Sequence, residues 1–221
     1  MCGQASVVAS FFSIGPVSPE PDEQREPYQR QPTWHGPSPD EVGRPIAASF
    51  VLARSEAAAV AVQSIRAFSS GCLIAIDYVV RRGKESASEW QDVTEAVFGM
   101  PSGRSRRRED DDALLLGVEL SDGTVARIND YFDWRNPGSQ ARLISTGGHG
   151  GSGGSERVHG STELWLRPLP PTPTLDLVCV WPRHGIGETR RTIDTTAVLD
   201  AAANAHWLWP EDADLPEMKL E

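Results

Sequence analysis

The sequence predicts a mainly-β protein: an antiparallel β-sandwich, immunoglobulin-like or similar, with about seven or eight short strands. Three observations support this class. Short apolar runs alternate with polar residues, turn-forming residues separate these runs, and few segments show helical spacing. The same pattern leads us to expect one or two short helices and a proline-rich N-terminal arm.

The first predicted hairpin joins two apolar runs in the first half of the chain. These runs cover residues 59–68 and 73–80, and the turn-forming sequence Ser-Ser-Gly at 69–71 separates them. In the second run the even-numbered side chains, including Ile76, share one face. Asp77 makes the opposite face partly polar.

A second hairpin is predicted around the dipeptide Asp122-Gly123. Alternating apolar runs at 114–120 and 124–128 flank it. An Asp-Gly step between such runs is typical of a two-residue primed turn, which requires a positive φ at Gly123.

Two segments have helical spacing. Residues 86–98 predict a short helix capped by Ser86 or Ser88. Residues 195–207 predict a second helix, capped by Asp194 or the residue after it.

Residues 175–181 predict a central strand covered on both sides, because both of its faces are largely apolar. We therefore expect Leu177, Cys179 and Ile76 to be almost inaccessible. Cys72 and Cys179 also leave a disulfide packed on Trp181 as an alternative, although reduced thiols are favoured because the spacing is longer than in immunoglobulin domains.

The distribution of proline, glycine and charge suggests domain boundaries. Residues 1–45 are expected to form an extended or disordered arm, and residues 46–210 a single mainly-β domain with flexible loops near 100–112 and 145–156. Residues 211–221 form an acidic tail. We expect the arm to pack across a sheet edge, on its own domain or on a neighbouring subunit, because an open edge promotes aggregation.

The loop that follows the central strand has two interpretations. His184 and Glu188 lie four residues apart and would serve a polar site on that loop. Alternatively, the segment is a bend between strands in which Glu188 pairs with Arg190 or Arg183. Two glycines and a preceding proline argue against a helix, and we favour the bend.

Seven tryptophans are many for this length. Trp181 and Trp207 are assigned to the core. Trp34 and Trp165 are candidates for a surface contact, since aromatic rings provide contact area at a small entropic cost. Tyr28 and Trp34 are the aromatic residues of the proline-rich stretch 15–45, and they are available to hold it on a surface.

Several functions are disfavoured by composition. A net charge of −10 and a pI near 5.0 oppose nucleic-acid binding. The sequence contains no run of 18 apolar residues, so it predicts no membrane helix. The spacing of its histidines matches no metal motif. The sequence also lacks a nucleophile elbow and a phosphate-binding glycine loop, so no catalytic residue, metal or cofactor is assigned.

These observations favour a non-enzymatic binding or structural component, such as a subunit of a larger assembly, with a protein partner or self-association. The alternative is a hydrolase, or a domain that binds a small or carbohydrate-like ligand, using His184 and Glu188. Reduced thiols favour the cytoplasm, and the predominance of Arg over Lys is typical of a GC-rich bacterial genome.

Overall fold

The computed structural model describes residues 28–98, 113–128, 141–147 and 151–218. Strands make up 51% and helices 18% of the described residues, and the sheets are antiparallel. These proportions confirm the mainly-β class. In chain order the strands are β1 (Glu41–Val42), β2 (Arg44–Ile46), β3 (Phe50–Arg54), β4 (Ala58–Phe68), β5 (Gly71–Arg81), β6 (Leu115–Leu120), β7 (Val125–Arg127), β8 (Arg142–Gly147), β9 (Gly151–Gly153), β10 (Arg157–Arg167), β11 (Thr174–Trp181), β12 (Ile186–Asp194) and β13 (His206–Trp207). The α-helices are α1 (Ala87–Phe98) and α2 (Thr195–Ala203).

Two sheets contribute to a single core. The larger has seven strands in the order β2-β4-β5-β10-β8, with β3 also paired to β4 and β9 to β10. The smaller has four strands in the order β12-β11-β6-β7. β3 lies beside β12 and β7 beside β8, so the two sheets approach each other at both edges.

The core lies where the sequence predicted it. Ile76 and Leu177 are 0% exposed and Cys179 is 1% exposed, and all three belong to the main hydrophobic cluster. This cluster includes side chains from both sheets and from both helices. The alternation that assigned these residues to inner strands therefore identified the packed faces correctly.

The predicted hairpin in the first half of the chain is present, since β4 pairs antiparallel with β5. Its turn needs the glycine that begins β5. A Cβ atom at Gly71 would lie 2.4 Å from the carbonyl oxygen of Leu166 in β10. No side chain fits at that distance.

The second hairpin is also present, but its loop is longer than predicted. β6 pairs with β7, and Gly123 has φ +83 as expected. However, the Leu120 N–H donates to Thr124 O at 2.8 Å, and the Gly123 N–H donates to Leu120 O at 2.9 Å. These bonds enclose three residues, and a loop of that size needs a left-handed residue only at its last position. Asp122 instead accepts a hydrogen bond from Thr124 N at 2.8 Å.

Both helices have the caps expected of them. At α1, Ser86 and Glu89 exchange hydrogen bonds between side chain and backbone, which lowers the pKa of Glu89. At α2, Asp194 accepts from Thr196 N at 2.8 Å, which lowers the pKa of Asp194. α2 ends four residues earlier than predicted, because His206–Trp207 pair with β1 instead.

The glycine-rich segment differs from the expected loop at 145–156. Residues 145–147 form the end of β8 and residues 151–153 form the whole of β9, both paired with β10, while residues 154–156 have no regular structure, as predicted. Backbone pairing needs no side chains, and a Cβ atom at Gly151 would lie 2.3 Å from the Phe98 ring of α1. Glycine thus lets α1 pack close to this edge. Residues 148–150 and the predicted loop at 100–112 lie outside the described residues.

Residues 28–42 and 206–218, which we call the terminal segments, pair with each other. β1 and β13 are antiparallel partners. Arg30 forms a parallel bridge with Glu217, and its carbonyl oxygen accepts from Met218 N at 2.8 Å. The described parts of the expected arm and of the expected acidic tail are therefore held together by backbone hydrogen bonds.

Candidate functional site

His184 lies in the bend between β11 and β12. The bend is a short 3-10 helix, Pro182–His184, followed by Gly185 with φ +69. The His184 carbonyl oxygen accepts a hydrogen bond from Ser55 Oγ at 2.6 Å. Its ring packs edge-on against the buried ring of Trp181, with 4.5 Å between ring centroids. Both the main chain and the ring of His184 thus take part in closing the bend.

Glu188 lies beyond the bend, on β12, with 62% of its side chain exposed. Its carboxylate accepts from Arg190 Nε at 3.0 Å, so the predicted pairing of Glu188 with Arg190 is confirmed. Arg190 also contacts Glu119 of β6 at 2.5 Å. The hydrogen bonds to Glu119 and Glu188 both raise the pKa of Arg190, and the bond to Glu119 has the larger effect.

Trp165 is not on the surface, which corrects the expectation of a surface contact there. It is 0% exposed and packs with Phe68 and Leu73 on the outer face of the seven-stranded sheet, the face turned away from the main core. Its Nε1 donates to Thr33 O at 2.9 Å. The first terminal segment therefore covers this ring. Trp34 is half-buried, and its ring lies edge-on to His35.

A buried carboxylate fixes the same segment to the sheet. Glu41 is 7% exposed, and its two oxygens accept hydrogen bonds from Ser69 N at 2.6 Å and from Ser69 Oγ at 3.0 Å. Ser69 belongs to the turn between β4 and β5. The segment is thus anchored by a charge-assisted contact at one point and by Trp165 at another.

Another part of the outer face is open and forms a groove of about 440 Å³, which we call the Asp77 groove. Its polar lining comes from four strands. These side chains are Gln63 of β4, Asp77 of β5, Ser152 of β9, and His159 and Ser161 of β10. Asp77 is half-buried and stands between Ala61 and Ser161 in the strand register.

Sequence reasoning did not identify this groove. The signal it offered was one charged residue, Asp77, within an otherwise apolar strand. Aspartate is unfavourable within a central strand, so its presence there needs an explanation. The neighbours that form the groove come from β4, β9 and β10, and strand pairing was required to bring them together.

A second surface feature lies on the terminal segments. Nine large apolar side chains are exposed in the described residues, and five of them belong to these segments. We call these five the terminal surface: Tyr28 at 50%, Val42 at 36%, Leu208 at 52%, Trp209 at 55% and Met218 at 46% exposure.

The buried nucleophilic groups are poorly suited to chemistry. Cys72 and Cys179 are both free, so the alternative disulfide is not formed. Burial raises the pKa of Cys72 to about 12 and that of Cys179 to about 11, which keeps both thiols protonated near neutral pH. Burial, and secondarily the charge of Asp77, raise the pKa of Tyr78 to about 12.

Within the described ranges, no group of three or more His, Cys, Asp or Glu side chains is arranged to hold a metal ion. The part of the chain that the structure describes also has no helix long and apolar enough to cross a membrane.

Comparison of this chain with protein-family models, with curated proteins and with solved structures finds no match. The two sites are therefore interpreted from the residues that form them.

Proposed function

We propose that the protein is a non-enzymatic binding component, and that the terminal surface docks a partner protein carrying basic residues around an apolar patch. The observation that carries this proposal is the concentration of exposed apolar side chains on the terminal segments. Single exposed apolar residues are normal on any protein. Five of nine on two short, paired segments indicate an interaction site.

Backbone pairing places these side chains near one another. The Leu208 N–H donates to Asp40 O at 2.7 Å, which places Leu208 and Trp209 close to the chain before Val42. The Tyr28 hydroxyl donates to the Asp40 carboxylate. A surface held in this way loses little conformational entropy when it binds, which favours affinity.

Charge determines which partner fits. The terminal segments carry exposed or half-buried acidic side chains, and Arg30 is their one arginine or lysine. Arg30 is already used, because it stacks over Trp207 at 5.1 Å and its Nε donates to Leu215 O at 2.6 Å. The exposed or half-buried acidic residues are Asp40, Glu211, Asp212, Asp214 and Glu217.

An apolar patch with an acidic rim is complementary to a basic partner. It is less suited to self-association, because two copies meeting through this surface would bring like charges together. The roles of the bend residues support a non-catalytic protein, since Glu188 is engaged with Arg190 and His184 packs in the bend.

We also infer that the two main sheets form an antiparallel sandwich. Their shared core and their approach at both edges support this description. In such a sandwich the terminal segments lie outside the packed layers, where they are accessible to another chain.

The test uses site-specific photo-crosslinking of the full chain inside cells, with a benzophenone amino acid at position 209. The same amino acid at position 51 is the matched control, because Val51 is also an exposed apolar residue, at 59%, on β3. We expect a protein cross-linked from position 209 and not from position 51. That protein is then purified for direct titration.

In the titration, replacing both Leu208 and Trp209 with Ser should weaken binding at least about tenfold, since central apolar residues dominate interface energies. Neutralising Glu211, Asp212 and Asp214 should weaken the salt dependence of binding. Equal affinity of the wild-type chain and the double variant would reject the proposal. A dimer in light scattering that the double variant abolishes would replace it with self-association.

A further inference from the structure

Asp77 occupies an unusual position for a charged residue. It lies in the middle of β5, which has β4 on one side and β10 on the other. Its side chain is half-buried. Over residues 28–98, 113–128, 141–147 and 151–218, its carboxylate has neither a hydrogen bond nor an ion pair. A partly desolvated carboxylate without a partner lowers the stability of the fold. Aspartate is also unfavourable within a central strand, so its presence in β5 needs an explanation.

The neighbours of Asp77 leave space above it. On the same row of the sheet are Ala61 and Ser161, and on the next row are Ala59, Val79 and His159. His159 is the one long side chain among them, and it lines the same groove, whereas the other four are too short to cover the carboxylate. The resulting groove has a volume of about 440 Å³ and is open to solvent.

A β-bulge contributes a polar group at the rim. Val62 pairs with Ile76, but the next pair is Ser64 with Ala75, so Gln63 is an extra residue in β4. Bulges redirect side chains and are common beside binding sites. Gln63 is exposed and lines the same groove as Asp77.

The lining indicates the chemistry of the ligand. Among the described residues that line the groove, Asp77 is the one aspartate, glutamate, lysine or arginine, and Gln63 supplies a further hydrogen-bond acceptor. A cationic group with N–H donors would pair with the carboxylate and with this amide oxygen. The floor of Ala59, Ala61 and Val79 side chains would contact an aliphatic portion. Asp77 and His159 alone provide too few ligands for a metal site.

We propose that the Asp77 groove binds a small organic cation, an alkylamine or alkylguanidinium compound, through the Asp77 carboxylate. The proposal is independent of the terminal surface, because the groove lies on the open part of the outer face and shares no residue with it.

The experiment titrates the ¹⁵N-labelled full chain with agmatine, which carries both a guanidinium and an amine, and follows the amide signals by NMR. 1-Butylamine and butylguanidinium distinguish the two donor groups. Tetramethylammonium and butyrate are the controls, because the first lacks N–H donors and the second has the opposite charge. We expect shifts at Ala61, Asp77 and Ser161 with the donor cations and not with the controls.

Two variants test the role of the carboxylate. Asp77→Asn keeps the shape but removes the charge and should weaken agmatine binding about tenfold or more. Glu163→Gln removes the same charge from the same sheet face, where Glu163 is already paired with Arg66 at 3.5 Å. It should change the affinity less than about threefold. Thermal unfolding confirms that each variant is folded.

A third variant tests the location. Ala61→Leu should block the groove and abolish the shifts around Asp77 without changing its charge. The proposal is overturned if agmatine at about 10 mM, a concentration suited to weak ligands, shifts none of the three amides. It is also overturned if Asp77→Asn binds as well as the wild-type chain, or if tetramethylammonium binds as well as agmatine.

Discussion

The outer face of the seven-stranded sheet has two halves that the same strands build differently. In the covered half, β5 and β10 present Leu73 and Trp165 beneath the first terminal segment. In the open half, the same two strands present Asp77, Ser161 and His159 to a groove. The boundary falls within a few residues along each strand.

The difference shows that side-chain size follows cover, not strand identity. Where the chain folds back over the sheet, large apolar residues gain free energy by burial. Where nothing in the described residues lies on the sheet, small and polar residues keep the face hydrated and avoid an exposed apolar patch. The open half is therefore accessible to a ligand, whereas the covered half contributes to stability.

The largest expected effect comes from truncating the covered half. Trp165→Ala should lower the free energy of unfolding by about 3–5 kcal/mol, because a fully buried ring is removed. His159→Ala, on the same strand in the open half, should change it by less than about 0.5 kcal/mol. Urea unfolding followed by circular dichroism measures both. Similar losses for the two variants would show that the halves are not energetically different.

A smaller effect is expected at the anchor of the cover. Glu41→Ala should cost about 1–3 kcal/mol, because it leaves the Ser69 N–H without its acceptor. Glu41→Gln retains one oxygen and should cost less. Glu163→Ala, which removes a partly exposed ion pair with Arg66, should cost at most about 1 kcal/mol. If Glu41→Ala is as mild as Glu163→Ala, the anchor does not hold the cover in place.

Among these comparisons, the thiols at neutral pH are expected to have the smallest effect on the free energy of unfolding. Their reactivity, however, should differ between the inner and the outer face of the sheet. In a Cys2→Ser background, Cys72 and Cys179 should resist Ellman's reagent at pH 8, because burial raises their pKa to about 12 and about 11. A cysteine introduced by His159→Cys should react rapidly. Rapid reaction of Cys72 in the native protein would contradict the packing beneath β5.

The same thiols set a direction for the pH dependence of stability. The pKa of Cys72 rises from 9.0 in its reference state to about 12 in the fold. Above pH 9 the unfolded chain therefore loses a proton that the native chain retains, and the free energy of unfolding falls as the pH rises towards 12. Cys72→Ala should reduce this decline between pH 9 and 11, measured by urea unfolding at each pH.

Local signals were sufficient for much of the fold. The alternation around Ile76 and Leu177, the capping residues Ser86 and Asp194, and the Asp122-Gly123 step each act within a few residues of chain. The predicted buried faces, caps and turn are present because neighbouring side chains and backbone angles determine each of them. The loop length at Gly123 differed, since one hydrogen-bond register separates a two-residue loop from a three-residue loop.

The features that could not be predicted from the sequence depend on contacts between distant parts of the chain. The burial of Trp165 requires residues near Thr33 to fold over it. β9 exists because β10 offers a free backbone edge, although a Gly-Ser-Gly sequence has no strand preference of its own. Asp77 was visible as an isolated charge, but the small residues around it come from other strands.

The pairing of the terminal segments also has a consequence for synthesis. Arg30 bridges Glu217, so the contact joins a residue that precedes both sheets in the chain to one that follows them. While the chain is being synthesised, the sheet around Trp165 can assemble before the strand that holds its cover exists. The pairing of the two terminal segments therefore waits until residues 206–218 have left the ribosome, and until then the contacts of Glu41 and Thr33 hold the cover on the sheet without its partner strand.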